Sequence, residues 1–207
     1  MDLLRKYFPE LTEIQLHQYE ALFSEYKNWN DKINVISRKD IDNLYLHHVL
    51  HSMSLIKVIQ FTKGTRILDL GTGGGFPTIP LAIYFPNVFF DALDSTKKKL
   101  TVIDAIADSI GLRNIQTIHQ RVEEHRGHYH FVVSRAVAAY SQLSQWSKPL
   151  ISKQQISGRP NGLFCYKGIH IESEITPEEK RHVEKLPISD YFEEEYFKEK
   201  SIYYQAM

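Results

Sequence analysis

The chain is poor in cysteine and has no long apolar run. A single cysteine among 207 residues, Cys165, rules out an internal disulfide, and its neighbours Leu163, Phe164 and Tyr166 mark it as a small core residue. A reducing cytosol is the expected compartment. No stretch reaches the roughly 18 to 20 consecutive apolar residues that a membrane span requires, so no membrane partner is expected. The start, Met1 to Tyr7, lacks the apolar core of a signal peptide, and the protein is expected to stay where it is made, in the cytoplasm. Net charge is absent as well: 25 basic residues balance 25 acidic ones, which by itself gives no support to a polyanionic partner. The distribution says more. Glu172 to Lys200 holds ten acids and five bases, leaving 20 bases against 15 acids elsewhere, an asymmetry that permits a basic face outside this segment. A solvated acidic tail without a partner explains the same counts. No internal repeat is present.

What is present is a hydrophobic content of 43%, enough for one large domain or one domain with a small extension. Residues 1–62 read as a helical extension. Thr12 to Gln15 resembles a capping box, after which Tyr19, Leu22, Phe23 and Tyr26 recur on one helical face. A second helix is expected from Asp40, with Ile41, Leu44, Tyr45, Val49 and Met53 inward and Gly64 beyond its end. From residue 63 to 207 short β-branched or aromatic runs alternate with helical segments, which predicts an α/β fold with a mostly parallel sheet and helices on both faces. The expected strands are Arg66 to Leu70, Val88 to Leu93, Ile115 to Ile118, Phe131 to Ser134 and Leu163 to Tyr166. Helices are expected at Thr78 to Phe85, Lys97 to Ile110 and Tyr140 to Leu150, a flexible loop at Ser152 to Asn161, and two further candidate strands at Val183 to Ile188 and Ile202 to Tyr204.

The most informative stretch is Ile67-Leu68-Asp69-Leu70-Gly71-Thr72-Gly73-Gly74-Gly75-Phe76-Pro77, a buried strand entering a glycine-rich turn and then a helix. Glycines at 71, 73 and 75 let the main chain bend sharply and bring its N–H groups against a nucleotide at the carboxyl edge of the sheet. A dinucleotide fingerprint would place its third glycine where Phe76 stands, and the Gly-Lys-Ser/Thr of a Walker loop is missing. The remaining pattern, Asp69, Gly71, Gly73 and Gly75, resembles the first motif of Rossmann-like methyltransferases. S-adenosylmethionine carries a sulfonium and an ammonium in place of a diphosphate, so an acid such as Asp69 is compatible with it. Asp94 ends the next strand 23 residues after Gly71, where a carboxylate can accept both ribose hydroxyls or serve as a helix N-cap. Lys97, Lys98 and Lys99 follow at a helix N-terminus. Three cations there oppose the macrodipole, which a polyanionic partner would explain, as would a solvated helix start.

The acceptor must be argued from the site. After the fourth strand stands Ser134-Arg135-Ala136-Val137, where methyltransferases of exocyclic amines resemble one another in an Asn/Asp-Pro-Pro-aromatic motif. Pyrimidine-carbon methylation needs a cysteine nucleophile, for which Cys165 in a predicted strand is poorly placed. His119, His125, His128 and His130 lack companion cysteines and regular ligand spacing, so they are read as surface imidazoles and no metal is expected.

Taken together, Leu68 to Ala82, Leu93-Asp94-Ser95, Gln120-Arg121-Val122-Glu123-Glu124, Val133 to Ala136, Tyr166-Lys167-Gly168, Trp29 to Ser37 and His48 to Ser52 resemble the bacterial small-subunit (16S) ribosomal RNA guanine-N7 methyltransferases, also called the glucose-inhibited division protein B family. The resemblance covers nearly the whole chain in unbroken order. It implies S-adenosylmethionine as cofactor, contacted by Gly71, Phe76, Val122, Glu123 and Arg135, with Gly73 and Asp94 added on the physical argument. It further implies one guanine in the decoding region of the small subunit's RNA as substrate. The enzyme is expected to act as a monomer. Two departures stand out: His47-His48-Val49-Leu50-His51-Ser52 where the family commonly has Arg-His-x-x-Asp-Ser, and Thr78 in place of a frequent glycine. Guanine N7 has an in-plane lone pair free at neutral pH, so no general base is expected and rate should come from alignment and electrostatics. Arg135 is the candidate for ordering the cofactor or the base, its alternative being a salt bridge to Glu123 or a neighbour. Lys167 is, by position, a candidate RNA contact.

Overall fold

The computed structural model describes residues 1–135, 138–168, 171, 174–176 and 179–207. Ala136 and Val137, and Glu172 and Glu178 of the acidic run, fall outside the described residues. Seven strands form one sheet: β1 (Arg66–Leu70), β2 (Phe89–Asp94), β3 (Ile115–His119), β4 (Phe131–Arg135), β5 (Gly162–Gly168), β6 (Val183–Pro187) and β7 (Lys200–Ala206), in the order β3-β2-β1-β4-β5-β7-β6. The pairs among β1 to β5 are parallel, whereas β7 runs antiparallel between β5 and β6. The connection from β1 leads through the glycine loop to β2 on one side, and β4 lies on the other. The strand order therefore reverses at β1, and the crevice of an open α/β sheet forms outside the carboxyl ends at such a reversal.

Both sheet faces are buried. Ile67, Phe90, Phe131, Val133, Phe164 and Tyr166 face one core cluster, while Leu68, Leu70, Leu93, Val132, Leu163 and Cys165 face the other. The first face carries α1 (Asp2–Tyr7), α2 (Glu13–Asn30), α3 (His51–Val58), α4 (Thr78–Tyr84) and α5 (Lys97–Ser109); α6 (Tyr140–Ser147) packs on the second. Helix α2 starts as the sequence predicts: the Gln15 N–H donates to Thr12 Oγ1 at 3.3 Å and the Thr12 N–H to Gln15 Oε1 at 3.0 Å. Its inner face, Tyr19, Leu22 and Tyr26, is fully buried in the same cluster as Ile67, Phe76 and Ile79.

Three expectations need correction. The helix expected from Asp40 is a 3-10 turn (Ile41–Asn43), then a π-helical stretch (Leu44–Leu50), and becomes regular only in α3. The helix from Tyr140 gives way at Lys148–Leu150 to a 3-10 turn, because Pro149 has no N–H to continue the ladder. Strand β7 runs beyond the expected Ile202 to Tyr204 at both ends, its polar Ser201 and Gln205 being buried in the ladder. Between α6 and β5 the segment 152–161 is closed on itself by the Asn161 amide, which donates to the carbonyls of Ser152 and Gln154 at 2.8 and 2.7 Å.

Candidate active site

The glycine loop is built so that backbone approaches backbone. Gly71, Gly73 and Gly75 have φ of 73°, 58° and 91°, a region that side-chain-bearing residues rarely enter. At Gly75 space is exhausted too, since a Cβ would stand 2.8 Å from Ile79 Cδ1. Gly73 instead leaves room above the loop, with only the Gly71 carbonyl at 3.9 Å from where a Cβ would be. The loop is pinned to β2: the N–H groups of Gly71 and Thr72 donate to the Leu93 carbonyl at 2.9 and 3.0 Å, and Gly73 N–H donates to Asp94 Oδ2 at 3.0 Å. From the other side Tyr26 donates its hydroxyl to the Gly74 carbonyl at 2.7 Å and stacks on Phe76 at 4.7 Å between ring centroids.

Asp94 lines the cleft and holds two backbone N–H groups, but it does not cap α5, whose N-cap is Thr96 without a side-chain hydrogen bond. Its Oδ1 accepts the Thr96 N–H at 2.8 Å at the entrance to α5, while Oδ2 holds Gly73. A carboxylate offers about four acceptor positions, so two remain for ribose hydroxyls. Asp69 is placed differently from its expectation. It is fully buried beneath the loop and outside the cleft lining, accepting the Thr78 hydroxyl at 2.6 Å; removal from water raises its pKa to about 6, against the hydrogen bonds from Thr78 and Thr72. Thr78, the departure from the family pattern, thus has a structural task.

Over this edge lies a cleft of about 1170 Å³. At its β2 and β3 end stand Asp94, Ser95, Gln120, Val122 and Glu123; Gly71, Gly73 and Phe76 form the middle; Arg135, Tyr166 and Lys167 close the β4 and β5 end. The cleft thereby brings together every cofactor position expected from the sequence. Of the candidate lysines, Lys99 and Lys167 line it, as does Lys200, whereas Lys97 and Lys98 are exposed outside it. Lys167 is already engaged, donating to Glu174 Oε2 at 2.7 Å and to the Ala138 carbonyl at 2.5 Å.

Arg135 does not pair with Glu123. It donates from Nη1 to the His47 carbonyl at 3.2 Å and from Nη2 to His48 Nδ1 at 3.0 Å, with its guanidinium carbon 5.2 Å from the Phe76 ring centre. Burial lowers its pKa, while Tyr196, Tyr166 and Asp69 act in the opposite direction. The sequence reading did not find its partners. Asp40, His47, His48, His51 and Tyr196 come from segments distant from β4, and all but Asp40 line the cleft. The departure at His47 to His51 is the signal for the three histidines, and no sequence signal points to Asp40 or Tyr196. The histidines read as surface groups divide: His119 and His128 are exposed, but His125 and His130 are buried, His130 Nδ1 accepting the Arg66 N–H at 2.9 Å and His125 Nε2 lying 2.9 Å from the Tyr129 hydroxyl. Cys165 is buried with its thiol pushed up to about 12 by burial, so it is no nucleophile at neutral pH.

Comparison with known proteins now decides the family. The model of GidB, rRNA small subunit methyltransferase G, matches residues 15–199. The chain belongs to this family. The GidB-family protein of Bacteroides thetaiotaomicron, Ribosomal RNA small subunit methyltransferase G, is 50% identical over 207 residues, which is 100% of both chains. That of Christiangramia forsetii is 47% identical over 100% of this chain and 97% of its own. Among solved structures, precorrin-6y C5,15-methyltransferase from Geobacter metallireducens GS-15 aligns with a TM-score of 0.54 over 84% of this chain and 92% of that one, at 12% identity, a likeness of fold. No helix among the described residues of this GidB-family chain is long and apolar enough to cross a membrane.

Proposed function

We propose that the chain transfers the methyl group of S-adenosylmethionine to N7 of a guanine in small-subunit (16S) ribosomal RNA, by in-line attack and without a general base. The observation that carries this reading is the continuous cleft from Asp94 to Arg135 in a chain that matches the rRNA methyltransferase family over nearly its whole length. Its volume exceeds the roughly 300 to 1,000 Å³ of an ordinary small-ligand pocket, so one nucleoside does not fill it.

The residues fit the cofactor. Asp94 would take the ribose hydroxyls, Val122 and Glu123 the adenine side, and the loop at Gly71 and Gly73 the methionine side; the open space at Gly73 is what such contact requires. When bound, S-adenosylmethionine supplies a methyl group on a sulfonium, an electrophile that needs no activation. The β4 and β5 end is then left for the acceptor. Arg135, fixed against Phe76, and Tyr166, whose hydroxyl donates to the Ser52 carbonyl at 2.7 Å, give that end rigid walls. Rigid walls favour alignment, the main source of rate when no proton has to be removed first. The deep, narrow major groove of A-form RNA hides N7, so the target base enters from an unstacked or single-stranded site. Lys97, Lys98 and Lys99 beside the cleft mouth are proposed RNA contacts; Lys167 qualifies only if RNA shares it with Glu174. The reading extends to a monomer acting in the cytoplasm.

A methyltransferase of a protein or a small molecule is the competing reading, and one assay separates them. Labelled S-adenosylmethionine is offered with small subunits lacking the modification, with naked ribosomal RNA and with protein fractions. Label recovered as 7-methylguanosine from small-subunit RNA is expected; label found only in protein or metabolites rejects the proposal.

A further inference from the structure

The N-terminal segment contributes more than packing to the cleft. Asp40 lies between two histidines of the π-helical stretch: His47 Nδ1 stands 2.5 Å from its Oδ1 and His48 Nε2 2.7 Å from its Oδ2. On the other edge of the His48 ring, Nδ1 faces Arg135 Nη2 at 3.0 Å. A guanidinium can only donate, so Nδ1 must carry the lone pair, which leaves the proton on Nε2 and makes His48 a donor to Asp40. The tautomer follows from the partners on either side. His48 is neutral in this arrangement, consistent with a pKa pushed down to about 4, first by burial and then by the Arg135 charge. A π-helical stretch is uncommon, and here it brings His47 and His48, neighbours in sequence, onto the same carboxylate.

We infer that Asp40 and His48 are positioning residues for methyl transfer, holding the Arg135 guanidinium against Phe76 where the cofactor end of the cleft meets the acceptor end. This rests on the functional reading given above. The chain Asp40, His48, Arg135 joins the helical extension to the end of β4, and the Phe76 ring supports it from below, 5.1 Å from the His48 ring and 5.2 Å from the guanidinium carbon. Loss of the Nδ1 acceptor leaves the guanidinium tethered by the His47 carbonyl alone among its hydrogen bonds to described residues, free to swing out of register with the transferring methyl.

The test is a double-mutant cycle on methylation of small subunits. His48→Gln sets its amide near the Nε2 position, keeping a donor for Asp40 and carrying its acceptor away from Arg135; a fall of roughly ten- to a hundred-fold in kcat/KM is expected, the range for one hydrogen bond to a charged group. His48→Asn, whose amide oxygen can replace Nδ1, should lose less. In an Arg135→Ala background His48→Gln should change kcat/KM by less than about threefold, because its route of action is already gone. Asp40→Asn, partly exposed and less prone to disturb folding, should show the same coupling to Arg135. Losses that simply multiply across the cycle, or a His48→Gln enzyme of wild-type activity, overturn the inference. A wild-type enzyme inactive on small subunits would instead overturn the functional reading.

Discussion

At the level of single residues, the cleft depends on carboxylates whose surroundings differ sharply. Asp94 holds two backbone N–H groups with acceptor capacity left over, and should be the residue most sensitive to substitution at the cofactor end. Asp94→Ala is expected to weaken binding of S-adenosylhomocysteine by about 2 to 3 kcal/mol, from the lost ribose contact and the released loop; a calorimetric affinity unchanged from wild type would contradict this. Asp69 carries a pH signature. Its folded pKa of about 6 lies above the ordinary 3.8, so its contribution to stability is fully present below pH 3.8 and is lost as pH rises through 6. Asp69→Asn, neutral at every pH, should therefore gain on the wild type between pH 5 and pH 8 by roughly 1 to 3 kcal/mol in urea unfolding. A difference that does not move with pH would mean that burial does not strain this carboxylate. Gly75→Ala should cost about 2 to 4 kcal/mol, from the positive φ and from the clash with Ile79, and appear as a lower Tm.

At the level of elements, the question is whether the helical extension is an attachment or part of the fold. Leu4, Phe8, Leu16, Tyr19, Leu22 and Tyr26 are buried in the core that also holds Phe76 and Ile79. Each is worth roughly 1.5 to 3 kcal/mol, together comparable to the roughly 5 to 15 kcal/mol of stability a domain possesses. A chain lacking residues 1–30 is accordingly expected not to fold, and a cooperative thermal transition in that truncation would show the opposite. The same elements show what the sequence discloses. The glycine loop, β1, the capping box at Thr12 and the acid at Asp94 are legible because each is a local pattern with a local cause. The π-helical stretch is not, since the apolar positions at 41, 44, 45, 49 and 53, within and beside it, fit an ordinary helix equally well. Nor is the contact of His48 with Arg135, 87 residues apart, because only the sheet brings those segments together. The orientation of Asp69 is hidden for a related reason: strand alternation does not say whether the last acid before a loop faces the ligand or the helix behind it.

At the level of the molecule, an evenly balanced charge has to serve an RNA substrate through local placement. If Lys97, Lys98 and Lys99 meet phosphates beside the cleft, replacing all three by alanine should reduce the slope of log affinity for RNA against log salt by about 2, at roughly 0.7 per phosphate on single strands. Binding of S-adenosylhomocysteine should be untouched, and an unchanged salt slope would move the RNA track elsewhere. The whole account depends on the cleft being divided, cofactor toward Asp94 and acceptor toward Arg135 and Tyr166. A crystal structure with S-adenosylhomocysteine tests that division most directly. The account predicts ribose hydroxyls on the Asp94 carboxylate and the sulfur directed toward Arg135, with the space beside Tyr166 left open; a nucleoside seated at the Tyr166 end, or a sulfur facing away from Arg135, would contradict it.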